Sequence, residues 1–188
     1  MSWDESEGIG LMEDSAFVSQ INPHNCIFVL VNYQTKLAST ISSKDVAPVI
    51  DTALLLAKTA KTFEIPIILT TICAHTFGGP LLTPLRTVLP NREPIDCRTL
   101  SVWEDKEVSA VLEKIGRKKL VMAGFWTNFS LTLSAIQALQ AGFKVYIVSD
   151  ACGDLSDGDD KVAVRRMIAA GAVVVNSSQL LFQFHNYR

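Results

Sequence analysis

Residues 124–130, with the sequence Gly-Phe-Trp-Thr-Asn-Phe-Ser, are the part of the chain best suited to chemistry. They follow an apolar run at 120–123 and lead into a helical pattern at 131–141. This strand, turn and helix order would present the hydroxyl of Ser130 where the helix begins. Backbone N–H groups at a helix N-terminus lack intrahelical partners and stabilise developing negative charge. A nucleophile at this position would therefore have an oxyanion hole supplied by the backbone.

Apolar runs rich in β-branched residues alternate with helical patterns along the chain. The fold that this alternation predicts determines where the turn at 124–130 lies. The predicted strands are 26–31, 65–71, 94–97, 120–123, 144–149 and 172–175. The predicted helices are 45–63, 81–89, 105–115, 130–141 and 161–170. Strands separated by helices indicate a parallel sheet covered on both faces. We therefore predict an α/β fold, a three-layer α/β/α domain with a six-stranded, mostly parallel sheet and Rossmann-like topology.

In such folds, ligands bind beyond the carboxyl ends of the strands. That rule selects a set of candidate site residues, which are Asn32, Thr71, Arg98, 125–130 and 150–153. The first strand is followed by Asn-Tyr-Gln and no glycine, so the glycine-rich fingerprint of dinucleotide and P-loop proteins is absent.

The length of 188 residues is that of one domain. We predict an N-terminal extension at 1–22 and a single domain at 23–188. Hydrophobic residues make up 48% of the chain and charged residues only 19%. This composition favours a homo-oligomer, although strands buried on both faces would give a similar composition in a monomer.

Charge and cysteine content argue against several classes of partner. The net charge is −2 and no stripe of Lys and Arg appears, so we expect no nucleic acid. No apolar run approaches the roughly 20 residues of a membrane span. The first residues are acidic, unlike a secretory signal, and we expect a cytoplasmic protein. Four widely spaced cysteines indicate neither disulfides nor a zinc site, and we expect no cofactor and no metal.

Three motifs, in order, carry a resemblance to a known family. The first is Asn-Pro-His-Asn-Cys at 22–26, followed by the apolar strand and Asn-Tyr-Gln at 32–34. The second is 124–130, and the third runs from Ala-Gly-Phe-Lys-Val at 141–145 to Ser-Asp-Ala-Cys-Gly at 149–153. The chain resembles the isochorismatase-like hydrolases of the cysteine hydrolase superfamily over roughly residues 21–181.

The resemblance implies a reaction and the residues that would perform it. In the family, an Asp takes a thiol proton, a Cys attacks the carbonyl carbon of an amide or similar compound, and a Lys or Arg holds charge. The matching positions here are Asn32, Ser130 and, for the cation, Arg98. The resemblance also implies a cis peptide between Phe125 and Trp126, with the backbone N–H groups of Trp126 and Ser130 as the oxyanion hole.

These substitutions weaken the implied chemistry. The amide of Asn32 cannot accept a proton at neutral pH, and a serine hydroxyl is a poor nucleophile without a base. Loss of acid–base catalysis alone costs about 10²–10⁴-fold in rate. We therefore expect C–N hydrolysis to be weak or absent, and a pocket for a small carbonyl or amide compound to remain. Its expected lining is Asn32, His75, Arg98, Trp103, Phe125, Trp126, Thr127 and Ser130.

Other functions stay open, and the sequence leaves undecided whether the chain is an enzyme. The fold could serve as a non-catalytic scaffold or interaction subunit. Alternatively, His75 could activate Ser130 as a serine hydrolase with a recruited base. A third possibility is that Cys152 supplies the thiol, although no cation stands beside it in sequence to lower its pKa.

Overall fold

The computed structural model describes residues 20–185 and residue 187, and within them six strands form one sheet. The strands are β1 Cys26–Val31, β2 Ile67–Ile72, β3 Ile95–Cys97, β4 Lys119–Gly124, β5 Lys144–Val148 and β6 Val173–Val175. Their order is β3-β2-β1-β4-β5-β6, and every neighbouring pair is parallel. The predicted fold class is confirmed.

Helices connect the strands and cover the sheet. They are α1 Thr35–Ala38, α2 Val46–Thr62, α3 Thr83–Val88, α4 Lys106–Ile115, α5 Thr132–Gln140, α6 Asp157–Ala169 and α7 Ser177–His185. Strands β1, β2 and β4 are buried at every residue, as expected for central parallel strands with helices on both faces.

Several helical regions differ from the prediction. The short helix α1 was not predicted, and α6, predicted at 161–170, begins at Asp157. The segment predicted as a helix from Ser130 begins instead with a π-helical turn, Thr127–Leu131, before α5. Helix α7 was not predicted, although Leu180 and Phe184 are buried four residues apart on one helix face. The start of α7 is held by a residue that follows β5. The carboxylate of Asp150 accepts hydrogen bonds from the backbone N–H (2.9 Å) and hydroxyl (2.6 Å) of Ser177.

The strand order reverses direction between β1 and β4. The chain leaves β1 toward β2 and leaves β4 toward β5, so the loops after β1 and β4 diverge and open a crevice. Val31 pairs with Gly124 at the last position of both strands. The residues that follow, Asn32 and Phe125, therefore begin the two walls of that crevice.

Most of the predicted extension at 1–22 lies outside the described residues. Of its last residues, Ile21 is buried and packs in the domain core. None of the helices in the described ranges is long and apolar enough to span a lipid bilayer. The four cysteines, all of them described, are free thiols.

Candidate active site

Asn32 occupies a backbone conformation that few residue types tolerate. Its φ is +57°, in the left-handed region where asparagine is among the favoured non-glycine residues. Its backbone N–H donates to the carbonyl of Thr70 on β2 at 3.1 Å, and its side chain is buried. The backbone turn thus directs the Asn32 amide into the crevice at the end of the sheet.

Ser130 lies on the other wall, in the turn Thr127–Leu131, and its hydroxyl meets the Asn32 amide. Asn32 Nδ2 donates to Ser130 Oγ over 3.0 Å, and both residues are almost fully buried, with 1% and 0% of their surface exposed. Thr70 Oγ1 donates to Asn32 Oδ1 over 3.4 Å. Because the amide oxygen is engaged by Thr70, the group presented to Ser130 is a donor.

The turn Thr127–Leu131 is held by hydrogen bonds from its backbone N–H groups to the loop after β5. The Thr127 N–H donates to the carbonyl of Gly153 at 3.4 Å, and the Asn128 N–H donates to Asp154 Oδ2 at 2.5 Å. From α5, the hydroxyl of Ser134 donates to the carbonyl of Ser130 at 2.6 Å. The position of the Ser130 hydroxyl therefore depends on the loop after β5 as well as on β4.

Phe125 and Thr127, both expected to line the site, are buried in the segment that leads from β4 to Ser130. The Phe125 ring packs edge-on against Tyr33, with ring centroids 4.8 Å apart. Thr127 Oγ1 is buried and has no hydrogen-bond partner among the described residues. A buried hydroxyl without a partner is costly, which makes Thr127 a candidate donor to a bound molecule.

Trp126 stands at the start of the turn with φ +58°, and its ring joins an aromatic cluster. Its indole Nε1 donates to Thr40 Oγ1 at 2.9 Å. Its ring lies 5.3 Å from Phe77 and 6.0 Å from Phe129, centroid to centroid. The expected cis peptide between Phe125 and Trp126 is wrong, because that bond is trans.

Gln34 fixes the segment that carries Phe77. Its buried side chain accepts from the N–H of Ile72 at 2.8 Å and donates to the carbonyls of Ile72 at 3.2 Å and Gly79 at 2.6 Å. These bonds bracket the turn Ala74–Gly78, which contains both Phe77 and His75. The glutamine of the first motif therefore shapes one rim of the site.

Three of the predicted site residues make no hydrogen bond to Ser130 in the described part of the chain. Arg98 and His75 are exposed, and neither side chain has a hydrogen bond or ion pair with any described residue. The ring of Trp103 packs against Phe143, which follows α5 and precedes β5, with centroids 5.0 Å apart. Trp103 therefore lies toward the amino end of β5, where it lines a cavity of about 390 Å³ with Lys118. The expectation that it lines the pocket of Ser130 is corrected.

Cys152 is at the predicted edge of the sheet but in an unreactive environment. It is fully buried, its thiol donates to the carbonyl of Val148 at 3.2 Å, and burial raises its pKa to about 12. A thiol with so high a pKa holds very little of the reactive thiolate at neutral pH. Within residues 20–185 and 187, no three His, Cys, Asp or Glu side chains come together as metal ligands would.

Three residues that shape the site, Thr40, Phe77 and Asp154, were not predicted from the sequence. Thr40 follows α1 and Phe77 lies in the turn Ala74–Gly78. Neither segment matches a motif, and only the folded chain brings these residues to Trp126. Asp154 was one residue beyond the range selected by the strand-end rule, and its buried carboxylate caps the turn of Ser130.

Known proteins share the sequence pattern of this chain. The family model for the isochorismatase domain matches residues 26–179. The chain is 26% identical to the probable hydrolase YcaC of Escherichia coli K12 over 168 residues, covering 88% of this chain and 80% of the relative. It is also 26% identical to isochorismatase domain-containing protein 2A of Mus musculus over 172 residues, covering 89% and 79%.

Two solved structures share the fold closely. YcaC of Pseudomonas aeruginosa, with hexane-2,5-diol and covalent acrylamide, has a TM-score of 0.85 at 26% identity, covering 90% of this chain and 84% of its own. YcaC of Escherichia coli, an octameric hydrolase of unknown specificity, also has a TM-score of 0.85 at 26% identity, covering 89% and 82%.

Proposed function

Because this chain belongs to the isochorismatase family, we propose that it keeps a small-molecule site at the end of β1 and β4 but lacks the thiol hydrolysis of its parent reaction. The parent reaction is cleavage of a C–N bond in a small amide-type compound. The proposed ligand is a small carbonyl or amide molecule, and the residues at the triad positions are Asn32, Arg98 and Ser130.

The 3.0 Å hydrogen bond from Asn32 Nδ2 to Ser130 Oγ is the observation that carries this proposal. A general base must accept the proton of the nucleophile, and the side chain facing Ser130 is itself a donor. The hydroxyl is therefore not activated, and the substituted pair is suited to hydrogen bonding with a ligand oxygen rather than to attack on a carbonyl carbon.

None of the other candidate residues replaces the missing Asp base or Cys nucleophile of the family. Among the described residues, no His, Asp or Glu side chain hydrogen-bonds Ser130 Oγ, and His75 is exposed without a partner. The buried thiol of Cys152, with a pKa of about 12, offers no thiolate. Arg98 is a permanent cation, so it could hold charge but could not take a proton.

The neutral donors around Ser130 suit the carbonyl oxygen of an uncharged ligand. The amide of Asn32 and the partnerless hydroxyl of Thr127 would each hydrogen-bond such an oxygen. Both Asn32 and Ser130 are buried, so binding requires the surrounding turns to move. The ring of Trp126, which packs against Phe77 and Phe129, would move with these turns.

The experiment places the Asp and Cys of the family at positions 32 and 130 and measures whether reactivity at position 130 returns. We expect the unaltered protein to show no labelling of Ser130 by a fluorophosphonate probe and no amide turnover above background. The variant Asn32→Asp with Ser130→Cys should react with acrylamide at position 130, as a thiol with an adjacent carboxylate would. Ser130→Cys alone is the matched control and should react more slowly. Amide turnover by the unaltered protein that disappears in Ser130→Ala would overturn the proposal.

We also propose a homo-oligomer. The support is the octameric state of the Escherichia coli relative and the exposure of large apolar side chains, including Phe182 at 79% and Ile168 at 52%. Such exposure is common where subunits meet. Light scattering coupled to size-exclusion chromatography measures the mass, and a value of one 20.6 kDa chain at micromolar concentration would contradict the proposal.

A second candidate function, a non-catalytic scaffold subunit, is favoured by one observation. Ser130 has no exposed surface, so the site is closed in the structure. A scaffold predicts no change in melting temperature with any small carboxamide or aromatic acid. A ligand site predicts a rise that depends on ligand concentration and is reduced in Asn32→Leu, which removes the amide donor.

A further inference from the structure

The segment 40–44, between α1 and α2, runs along both loops that form the site, and we refer to it as the strap. At one end, Thr40 Oγ1 accepts from the indole of Trp126 at 2.9 Å. At the other end, Lys44 Nζ donates to the carbonyls of Ser149 at 2.9 Å and Cys152 at 3.2 Å. The strap thus contacts the turn after β4 and the loop after β5.

Asp154 joins the middle of the strap to the turn that carries Ser130. Its carbonyl accepts from the N–H groups of Ser42 and Ser43, both at 3.0 Å, and its own N–H donates to Ser43 Oγ at 2.8 Å. Its carboxylate, fully buried, accepts from the N–H of Asn128 at 2.5 Å and of Leu155 at 2.8 Å. One residue therefore connects the three segments around the site.

We propose that Asp154 is a positioning residue whose carboxylate holds the turn Thr127–Leu131 against the strap, so that protonation of Asp154 loosens the turn and moves Trp126. Hydrogen bonds to an ionised carboxylate are about twice as strong as neutral ones. A proton on either oxygen removes that advantage at the Asn128 N–H. This inference rests on the proposed function, because the turn matters for binding only if Ser130 and Asn32 take a ligand.

The charged groups that face Asp154 come from two elements. On α6, Asp159 and Asp160 are near enough to disfavour its ionisation, and Arg166 donates to Asn128 Oδ1 at 3.3 Å. On the strap, Lys44 pairs with Asp160 at 2.9 Å, which offsets one of these carboxylates. Burial is the largest influence and raises the pKa of Asp154. The hydrogen bonds from the Leu155 and Asn128 N–H groups oppose this rise, the two aspartates add to it, and the net shift is upward. The protonation step thus falls above the ordinary carboxyl range of about 4.

Trp126 reports on this step directly. In a parent variant with Trp3→Phe and Trp103→Phe, Trp126 is the remaining tryptophan, and its emission can be followed as pH is lowered from neutrality. We expect a step in the emission maximum at a pH above the ordinary aspartate range, and loss of that step in the same background carrying Asp154→Asn. No ligand is added, so the result is independent of whether the proposed ligand site is real.

The matched control is Asp150→Asn. Asp150 lies in the same loop, but its carboxylate caps α7 through Ser177 and does not touch the turn of Ser130. The emission step should persist in this variant. Circular dichroism at each pH separates the local step from global unfolding.

Each possible result either supports or contradicts the proposed role of Asp154. Absence of a step in the folded parent, or a step that survives Asp154→Asn, overturns it. Should Asp154→Asn fail to fold, Ser43→Ala tests the same connection, because it removes the side-chain acceptor of the Asp154 N–H. Ser43→Ala should shift the step, and an unchanged step in Ser43→Ala would contradict the proposed link between strap and turn.

Discussion

Gly124 lies so close to Val31 that a Cβ built on Gly124 would be 2.4 Å from the Val31 carbonyl oxygen. The two residues pair at the carboxyl ends of β4 and β1. Because β1 and β4 are in direct contact at this point, the residues that follow the two strands enter the same crevice. Asn32 and Ser130, 98 positions apart in sequence, are brought to hydrogen-bond distance by this contact.

Gly124→Ala should therefore destabilise the fold. The methyl group would overlap backbone atoms of a central strand, which cannot move without disturbing the ladder, and overpacking of this kind costs about 1–3 kcal/mol or more. Urea denaturation measures the loss in the free energy of unfolding. The control is Gly158→Ala on α6, where the nearest atom to the new Cβ is 3.7 Å away. That variant should be as stable as the unaltered protein or gain up to about 1 kcal/mol. Equal stability of the two variants would contradict the close-contact argument.

The fold was predictable because its signals are local and repeated. The apolar run at Cys26–Val31 is buried at every residue and forms a central strand with the predicted bounds. The helix predicted at 45–63 is α2, Val46–Thr62, with the Asp45 side chain accepting from Ala47 N–H at its start. Burial on both faces leaves continuous apolar runs in a sequence, and amphipathic helices leave a repeat of 3.6 residues.

The site was only partly predictable, because its contacts join segments far apart in the chain. The strand-end rule selected Asn32 and Ser130, whose positions follow directly from β1 and β4. It says nothing of how a long side chain turns after the strand ends, and Trp103 packs against Phe143 away from the site. The bond from Trp126 to Thr40 spans 86 positions and has no sequence pattern of its own.

Gln34→Ala should destabilise the rim of the site and disturb Trp126. The substitution leaves the Ile72 N–H and the Gly79 carbonyl without their partner, and each unsatisfied buried group costs about 1–3 kcal/mol. Because Gln34 fixes the turn that carries Phe77, tryptophan emission should change together with stability. Gln140→Ala, at the exposed end of α5, is the control and should stay within about 0.5 kcal/mol of the unaltered protein. A Gln34→Ala variant of unaltered stability would show that these bonds are dispensable.

The cysteines should react with a disulfide reagent in two classes. Burial raises the pKa of Cys26, Cys97 and Cys152 to about 12 each, so these thiols hold almost no thiolate at pH 8. Cys73 is half-buried and should account for the fast reaction of the folded protein. Dithionitrobenzoate should therefore label one thiol quickly and all four in denaturant, with the fast phase absent in Cys73→Ser. Fast labelling of Cys152 in the folded protein would contradict its assignment as unreactive.

The pH dependence of stability should identify Asp154. Burial raises its pKa in the folded protein above the unfolded value of 3.8, so the folded state binds this proton more tightly. The resulting stabilisation is complete below the unfolded pKa and is lost as pH rises through the folded pKa. Asp154→Asn has no such proton, so the free energy of unfolding of the variant, relative to that of the unaltered protein, should increase from about pH 4 upward and then become constant. Urea denaturation at a series of pH values measures this difference, which is independent of any constant cost of the substitution. A difference that stays flat with pH, or that decreases as pH rises, would mean that the Asp154 carboxyl is not the group with the raised pKa.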